Sequence, residues 1–534
     1  MLKHHRTFLS IVASVLVMGG AGPVHGQQSD LSFLLTAAER TEFEETTRYD
    51  EMMAFLEVAV SQHPDLHLLT FGYSYEGRAL PLVIFGKTAS TDPSVLRDSD
   101  RIRIFVQGNI HAGEVCGKEA LLMLIRSIAE GEHDTWADSA LVMMAPMYNT
   151  DGNERVNLYN RPRQNGPRAG MGQRPNAQGL DLNRDHMKVR SPEARSLIGL
   201  MNAYDPHVLI DLHTTNGTRH GYHLTYSPSL SPNTSASIDS LNRNHVLPAA
   251  QQGLKDRSGW ESYYYGNLPF RRAEPGWFTF DHRPRFNNNY IGLRNRLAIL
   301  SEAYAYASFE ERILSSLHFT ESIIEDVIAR REEVIEVLQR AETESTPGLE
   351  QGLRFEPVMN DDSVEILMGT VVSRVNPYSG AVYLERTDFT RVQLMPEYGA
   401  FAPVESSTIP AAYVVYAESA AVVGPMLATH GISFETLTEA KLHSVEAFVV
   451  DSVMVSDRPF QQIREVTLNG AWSGEDIEFP IGSLFVSMDQ PLSRLAFYLL
   501  EPRSDDGLVN WGFFGDALTA GDLFPVYRVP LGNP

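Results

Sequence analysis

The sequence predicts an α/β fold: a mixed, mostly parallel central sheet flanked by helices, followed by a C-terminal β-rich domain. Three observations predict it. Between about Leu31 and Arg340, short β-rich runs alternate with helical ones, the order that α/β folds produce. Most of those short runs are apolar almost throughout, as strands covered on both faces are. Beyond Gly352 the helical periodicity gives way to short β-like runs broken by Gly, Pro, Asn and Asp.

Taken in order, the chain opens with MLKHHRTFLSIVASVLVMGGAGPVHG. A basic head, an apolar run from Phe8 to about Met18 and small residues ending at Gly26 read as an export signal, residues 1–26, removed after Gly26. The apolar run is short for a bilayer span of roughly 20 residues. The strands expected next are LPLVIFG (80–86), RIRIFVQ (101–107), ALVMMAP (140–146), HVLIDLH (207–213) and LAILSE (297–302). YDEMMAFLEVAVSQ, KEALLMLIRSIAE and SPEARSLIGLMNAY carry helical spacing, the last with Ser191 as cap and Pro192 at the first helical position. One long charged helix is expected from Phe309 to Thr343, then a boundary over Glu344 to Gly352. The expected domains are therefore residues 31–345 and 350–534. SVEILMGTVV, AYVVYAES, VEAFVVDSVMV and GSLFVSM supply strands of the second, with one or two helices.

Composition narrows function. The 534 residues, 43% hydrophobic and 21% charged, are enough for more than one packed core. With 44 Lys+Arg against 67 Asp+Glu the formal charge is −23, a poor match to nucleic-acid phosphates. The expectation is a secreted or periplasmic protein with no nucleic-acid partner and no membrane association after signal removal. Its single cysteine, Cys116, cannot form an internal disulfide. In VCGKEALL it reads as a small side chain packing the helix start.

GNIHAGEVCGKEALL places His111 and Glu114 three apart, at the carboxyl end of an expected strand, the edge where ligands bind in open α/β sheets. Alone, the pair reads equally as a helix-capping carboxylate beside an incidental histidine. His213 ends a second expected strand, and Asp211, two residues earlier, shares its face. Two strand ends of one sheet bring His111, Glu114 and His213 together as the His₂Glu set of catalytic zinc hydrolases. Glu302, at the end of a third strand, is placed for a general base. Asn183 and Arg184 in GLDLNRDH, with Arg161 and Arg163 in NRPRQNGP, lie in loops, and arginine suits bidentate capture of a carboxylate.

In order, GNIHAGEV, YNTDGNE, GLDLNRD, DLHTTNG and LAILSEAYAY resemble the zinc carboxypeptidases of the carboxypeptidase A/B type. The resemblance covers roughly Leu31 to Arg340, with Asn149-Thr150-Asp151-Gly152 standing where the family has Asn-Pro-Asp-Gly. It implies one Zn²⁺ per chain held by His111, Glu114 and His213, and Glu302 as general base. It also implies a peptide substrate whose free C-terminal carboxylate is gripped by Asn183 and Arg184. Arg161 would stabilise the oxyanion, with Arg163 as competitor, and Tyr290 would clamp substrate, although it lies closer to the late glutamate than the family's mobile tyrosine. The alternatives are a zinc amidase acting on cell-wall peptides or N-acyl amino acids, and a non-catalytic zinc- or peptide-binding module.

Overall fold

The computed structural model describes residues 31, 33–268, 276–515 and 518–532. The export signal expected over residues 1–26 lies outside them. The first nine strands are β1 (Leu66–Tyr73), β2 (Ala79–Phe85), β3 (Ile102–Gly108), β4 (Ala140–Ala145), β5 (Val208–Thr214), β6 (Leu224–Ser227), β7 (Ser262–Tyr264), β8 (Trp277–Phe278) and β9 (Leu297–Ala303). All except β8 join one mixed sheet in the order β1-β2-β4-β3-β5-β9-β6-β7. Its centre is parallel: β4 with β3, β3 with β5, and β5 with β9. β1, β2 and β6 attach antiparallel.

Alternate residues of these strands enter two different cores, as the pleat requires. Val83, Ile104, Val106, Val142, Val208 and Ile210 face one side with the helices Tyr49–Ser61, Cys116–Ala129, Leu247–Ser258 and Phe309–Ala329. Leu82, Ile84, Phe105, Met143 and Leu209 face the other side with the helix Pro192–Tyr204. Ser191 caps that helix by accepting from Ala194 N, with Pro192 in its first turn. The long charged helix of the sequence reading is two helices, Phe309–Ala329 and Arg331–Thr343. They break at Arg330 (φ −107°), and the second turns Val334, Val337, Leu338 and Ala341 into the first core. A single charged stripe gives no sign of such a break.

After Thr343 the chain becomes β-rich: β10 (Glu350–Val358), β11 (Asp361–Val375), β12 (Val382–Tyr398), β13 (Ala400–Thr408), β14 (Ala412–Val415), β15 (Glu435–Thr436), β16 (Lys441–Val455), β17 (Val466–Phe479), β18 (Leu484–Ser487) and β19 (Val526–Val529). Six of them form the sheet β15-β18-β14-β19-β16-β17, beside the helices Ala417–His430 and Ser493–Leu500. This part is not a separate bead. Tyr413, Val415, Phe448, Leu495 and Phe497 belong to the same apolar cluster as Leu82 and Phe105, so it shares the core on one face of the central sheet with the helix Pro192–Tyr204. β8 leaves that sheet to pair with β12.

The tightest polar joint between the two parts is at Arg285. Its backbone N–H and Nε donate to Asp506 at 2.6 and 2.8 Å, and its Nη2 donates to Glu465 at 2.9 Å. Trp511 Nε1 donates to the same aspartate at 2.9 Å. Arg285 and Asp506 are both buried, so removing Asp506 takes from the guanidinium its one buried anion, leaving Glu465, and takes from Trp511 its acceptor. Asp506→Ala should cost about 3–5 kcal/mol, read from urea-unfolding midpoints; a loss below about 1 kcal/mol would mean this joint does not hold the parts together.

Candidate metal centre and substrate pocket

The site forms where β3, β5 and β9 end. β3 runs into a tight turn before the helix Cys116–Ala129, and the approach leaves no room for side chains at two glycines. A Cβ on Gly108 would lie 2.9 Å from both Lys118 N and Pro146 O, and one on Gly113 2.9 Å from Gly172 O. The Asn-Thr-Asp-Gly turn braces this loop from outside: Asn149 Nδ2 donates to Ile110 O (3.2 Å), and Asn149 Oδ1 accepts from Gly152 N (3.0 Å). His111 and Glu114 are thereby held, buried, at the sheet edge. In the parallel register of β5 and β9, His213 is paired with Glu302, which puts both on the same side of the sheet.

His111, Glu114 and His213 converge, with one ligand atom from each within 4.8 Å of the others. His111 Nδ1 lies 3.0 Å from Glu114 Oε1, and His213 Nδ1 lies 2.9 Å from Glu114 Oε2 and 3.2 Å from His111 Nδ1. Behind each ring stands a carboxylate: Asp181 Oδ1 is 3.0 Å from His111 Nε2, and Asp211 Oδ2 is 2.9 Å from His213 Nε2. A carboxylate only accepts, so each holds a proton on the outer ring nitrogen and leaves the inner nitrogen, facing Glu114, to bind a cation once its own proton is lost. Two imidazole lone pairs and a carboxylate facing one another fit a divalent cation, and two nitrogens with one oxygen are zinc's donor set.

The charges are set by burial and neighbours. Burial opposes ionisation of Glu114, but the adjoining Arg161 guanidinium and His111 outweigh it and hold the carboxyl well below its usual range. Arg161 Nη2 donates directly to Glu114 Oε1. Burial pushes Glu302 up to about 8, with the Glu114 charge adding to the rise and His213 and Arg161 resisting it. Burial brings Arg184 down to about 10; its guanidinium lies over the Phe286 ring, 3.6 Å from the centroid. Asn183 Oδ1 accepts from Asn287 N (2.8 Å), and among the described residues its Nδ2 has no hydrogen-bond partner.

One cavity of about 200 Å³ collects His111, Glu114, His213, Glu302, Arg161, Asn183 and Arg184. Seven of the residues singled out in the sequence therefore meet at one place. Tyr290 does not. It is fully buried, with Oη 2.8 Å from His430 Nδ1. Asn288, two residues earlier on the helix Asn287–Leu293, lines the cavity, and two residues of helix separate side chains by about 200°. Arg163 lines a neighbouring cavity without touching this one.

The sequence reading missed Asp181, Arg174 and Tyr265. Asp181 caps the short turn Leu182–Arg184 and backs His111. Arg174 Nε donates to Asp181 at 2.9 Å. Tyr265 lines the cavity, its phenol pushed up by burial and by the Glu302 charge. Asp181 had a legible signal, a capping position beside Asn183-Arg184; Arg174 and Tyr265 had none. Cys116 is buried, its Sγ 3.1 Å from Thr214 Oγ1.

Residues 52–267 match the family model described as zinc carboxypeptidase. The chain carries a zinc carboxypeptidase domain. Those matched residues carry the pattern of zinc-dependent carboxypeptidases, a family of peptide hydrolases. Carboxypeptidase 2 of Trichophyton tonsurans is 24% identical over 487 residues, covering 85% of this chain and 81% of that one. Carboxypeptidase 2 of Trichophyton rubrum is 23% identical over 484 residues, with the same coverages. These alignments are longer than residues 1–345 alone could supply, so the similarity runs into the β-rich part. Among solved structures, a metallo-carboxypeptidase from Burkholderia cenocepacia is 17% identical with a TM-score of 0.40, over 53% of this chain and 70% of that one. Among the described residues no helix is long and apolar enough to cross a membrane.

The electrostatics carry a consequence for metal affinity. Burial opposes a charge on His213, but Asp211 and Glu114 reverse this and raise its proton affinity well above that of a free imidazole. A cation binding there must displace that proton. Zinc affinity, measured by competition with a chelating dye, should therefore weaken as pH falls, by at most about tenfold per unit for one displaced proton; a profile flat from alkaline to acid pH would contradict the His213 assignment.

Proposed function

We propose that the chain is an exported zinc metallocarboxypeptidase that hydrolyses the C-terminal peptide bond of peptides. The observation that carries this reading is the meeting, in one cavity, of a His₂Glu donor set, a strand-end glutamate and an Asn-Arg pair. His111, Glu114 and His213 hold one Zn²⁺ per chain. Bound there, zinc supplies Lewis acidity, lowering the pKa of water and polarising a carbonyl. Glu302 takes the proton of the attacking water and returns it to the leaving amine. A carboxyl poised near neutrality suits both steps. Arg161 donates to the scissile carbonyl oxygen as negative charge develops on it.

Arg184 and the unused Nδ2 of Asn183 hold the terminal carboxylate, a charge-assisted contact that gives selectivity for free C-termini. Residues 31–345 form the catalytic domain; residues 350–534 form a β-rich domain that packs on it and shapes substrate access. Export to the periplasm or exterior rests on the N-terminal 26 residues, whose basic head and apolar run have the form of a cleaved signal.

Glu302→Gln should keep zinc and lose about 10²–10⁴-fold in kcat, the usual reach of general acid–base catalysis. Arg184→Ala should act mainly on binding and lose about 1.5–3 kcal/mol in kcat/KM, the worth of a hydrogen bond to a charged group. Steady-state kinetics with zinc assayed on each variant reads both; the reverse pattern would exchange the roles. A matched pair of peptides, free and C-terminally amidated, tests the reaction itself: equal cleavage of the two would overturn the carboxypeptidase reading.

A further inference from the structure

A second cavity, of about 1020 Å³, adjoins the catalytic one and shares Arg161 and Asn216 with it. It is built at a three-way junction. The loop Arg161–Gln164 forms one side, the segment Thr215–Arg219 after β5 another, and Leu384 of β12 reaches in from the β-rich part. Leu384 N donates to Arg163 O at 3.1 Å, so the hairpin strand is tied to the loop that carries the arginines.

Among the described residues the lining includes Arg161, Arg163 and Arg219 and no aspartate or glutamate. Arg161 is engaged by Glu114. Among the described residues, the guanidinium groups of Arg163 and Arg219 have neither an ion-pair nor a hydrogen-bond partner, whereas Arg386 nearby has Glu311 at 3.7 Å. Both arginines act on one point: burial raises the Tyr306 phenol, and their positive fields draw it back. Tyr306 is itself seated tightly, since a Cβ on Gly217 would lie 2.4 Å from its hydroxyl. In a chain of net charge −23, two uncompensated guanidinium groups in a concave site run against the overall field and concentrate positive potential where a ligand enters.

Asn183 and Arg184 line only the smaller cavity. On the carboxypeptidase reading, on which this inference rests, the larger cavity is left for residues upstream of the scissile bond. We propose that it is a subsite for acidic side chains, so that the enzyme selects peptides with Asp or Glu in the second- and third-from-last positions. The planar guanidinium groups of Arg163 and Arg219 match a carboxylate in the bidentate mode.

The test uses the zinc-loaded full-length protein and N-acetylated tetrapeptides with one common C-terminal residue and Glu, Gln or Lys at the two preceding positions. The Glu peptide should exceed the Gln peptide at least tenfold in kcat/KM at low ionic strength, with Lys below Gln, and the advantage should shrink with added salt. In Arg163→Gln/Arg219→Gln the Glu:Gln ratio should fall toward one. Arg219→Glu, at an exposed position, should move the preference toward Lys. Equal hydrolysis of all three peptides by the parent protein overturns the subsite and leaves the carboxypeptidase reading standing. If none is hydrolysed, but fluorescence anisotropy shows the labelled Glu peptide bound at least tenfold tighter than the Gln peptide through Arg163 and Arg219, the subsite stands and the carboxypeptidase reading falls. No hydrolysis with equal binding overturns both.

Discussion

Four carboxylates converge at one edge of the sheet in a chain that is already strongly acidic: Glu114, Asp181, Asp211 and Glu302. Burying anions together is unfavourable unless each is compensated, and the architecture around this edge is organised by that requirement. Asp181 and Asp211 are answered by the outer nitrogens of His111 and His213, and Glu114 by Arg161 and the two histidines. Glu302 is the one left under-compensated, its Oε2 buried without a hydrogen-bond partner among the described residues. That imbalance keeps its carboxyl close to neutrality in proton affinity while its neighbours stay ionised. The donor set at His111, Glu114 and His213 and the raised proton affinity of Glu302 thus follow from one electrostatic problem solved unevenly.

The same constraint explains why the loops outside the sheet are built so tightly. Histidines can answer carboxylates only at hydrogen-bond distance, so the His111 loop must lie flat against its surroundings. The glycines at 108 and 113 permit this, and the Asn149 turn holds it. Asp211 is fastened by Gln107 and Asn287, from β3 and from the helix after Arg285. Through Arg285 and Asp506, that helix is anchored in turn to the β-rich part of the chain. The metal centre is therefore mechanically continuous with residues more than two hundred positions away. The β-rich part shares the core on one face of the central sheet and supplies Leu384 to the lining of the larger cavity.

Much of this was legible from the chain alone, for identifiable reasons. Strands buried on both faces must be apolar throughout, so five of the central strands announced themselves. β1, β6, β7 and β8 did not, because edge or short strands such as LHLLTFGY and SYY are half-exposed or mixed in polarity. His111, Glu114, His213 and Glu302 could be grouped because each ends a segment whose direction in the sheet is set by its neighbours. Tyr290 was misplaced in the reading because nothing in NNNYIGL says which face of the helix meets the pocket; packing against His430, far along the chain, decides it.

The sequence by itself determined the side chains on offer: the histidines, the glutamates, the arginines and the strand ends that carry them. It could do so because side-chain alternation and turn requirements are local properties. Only the tertiary structure decided which carboxylate backs which histidine, that Arg161 and not Arg163 touches Glu114, and that Tyr265 rather than Tyr290 lines the pocket. It also decided that the β-rich part completes the core. These are contacts between segments tens to hundreds of residues apart, selected by packing and by compensation of buried charge, and neither quantity exists until the chain has closed on itself.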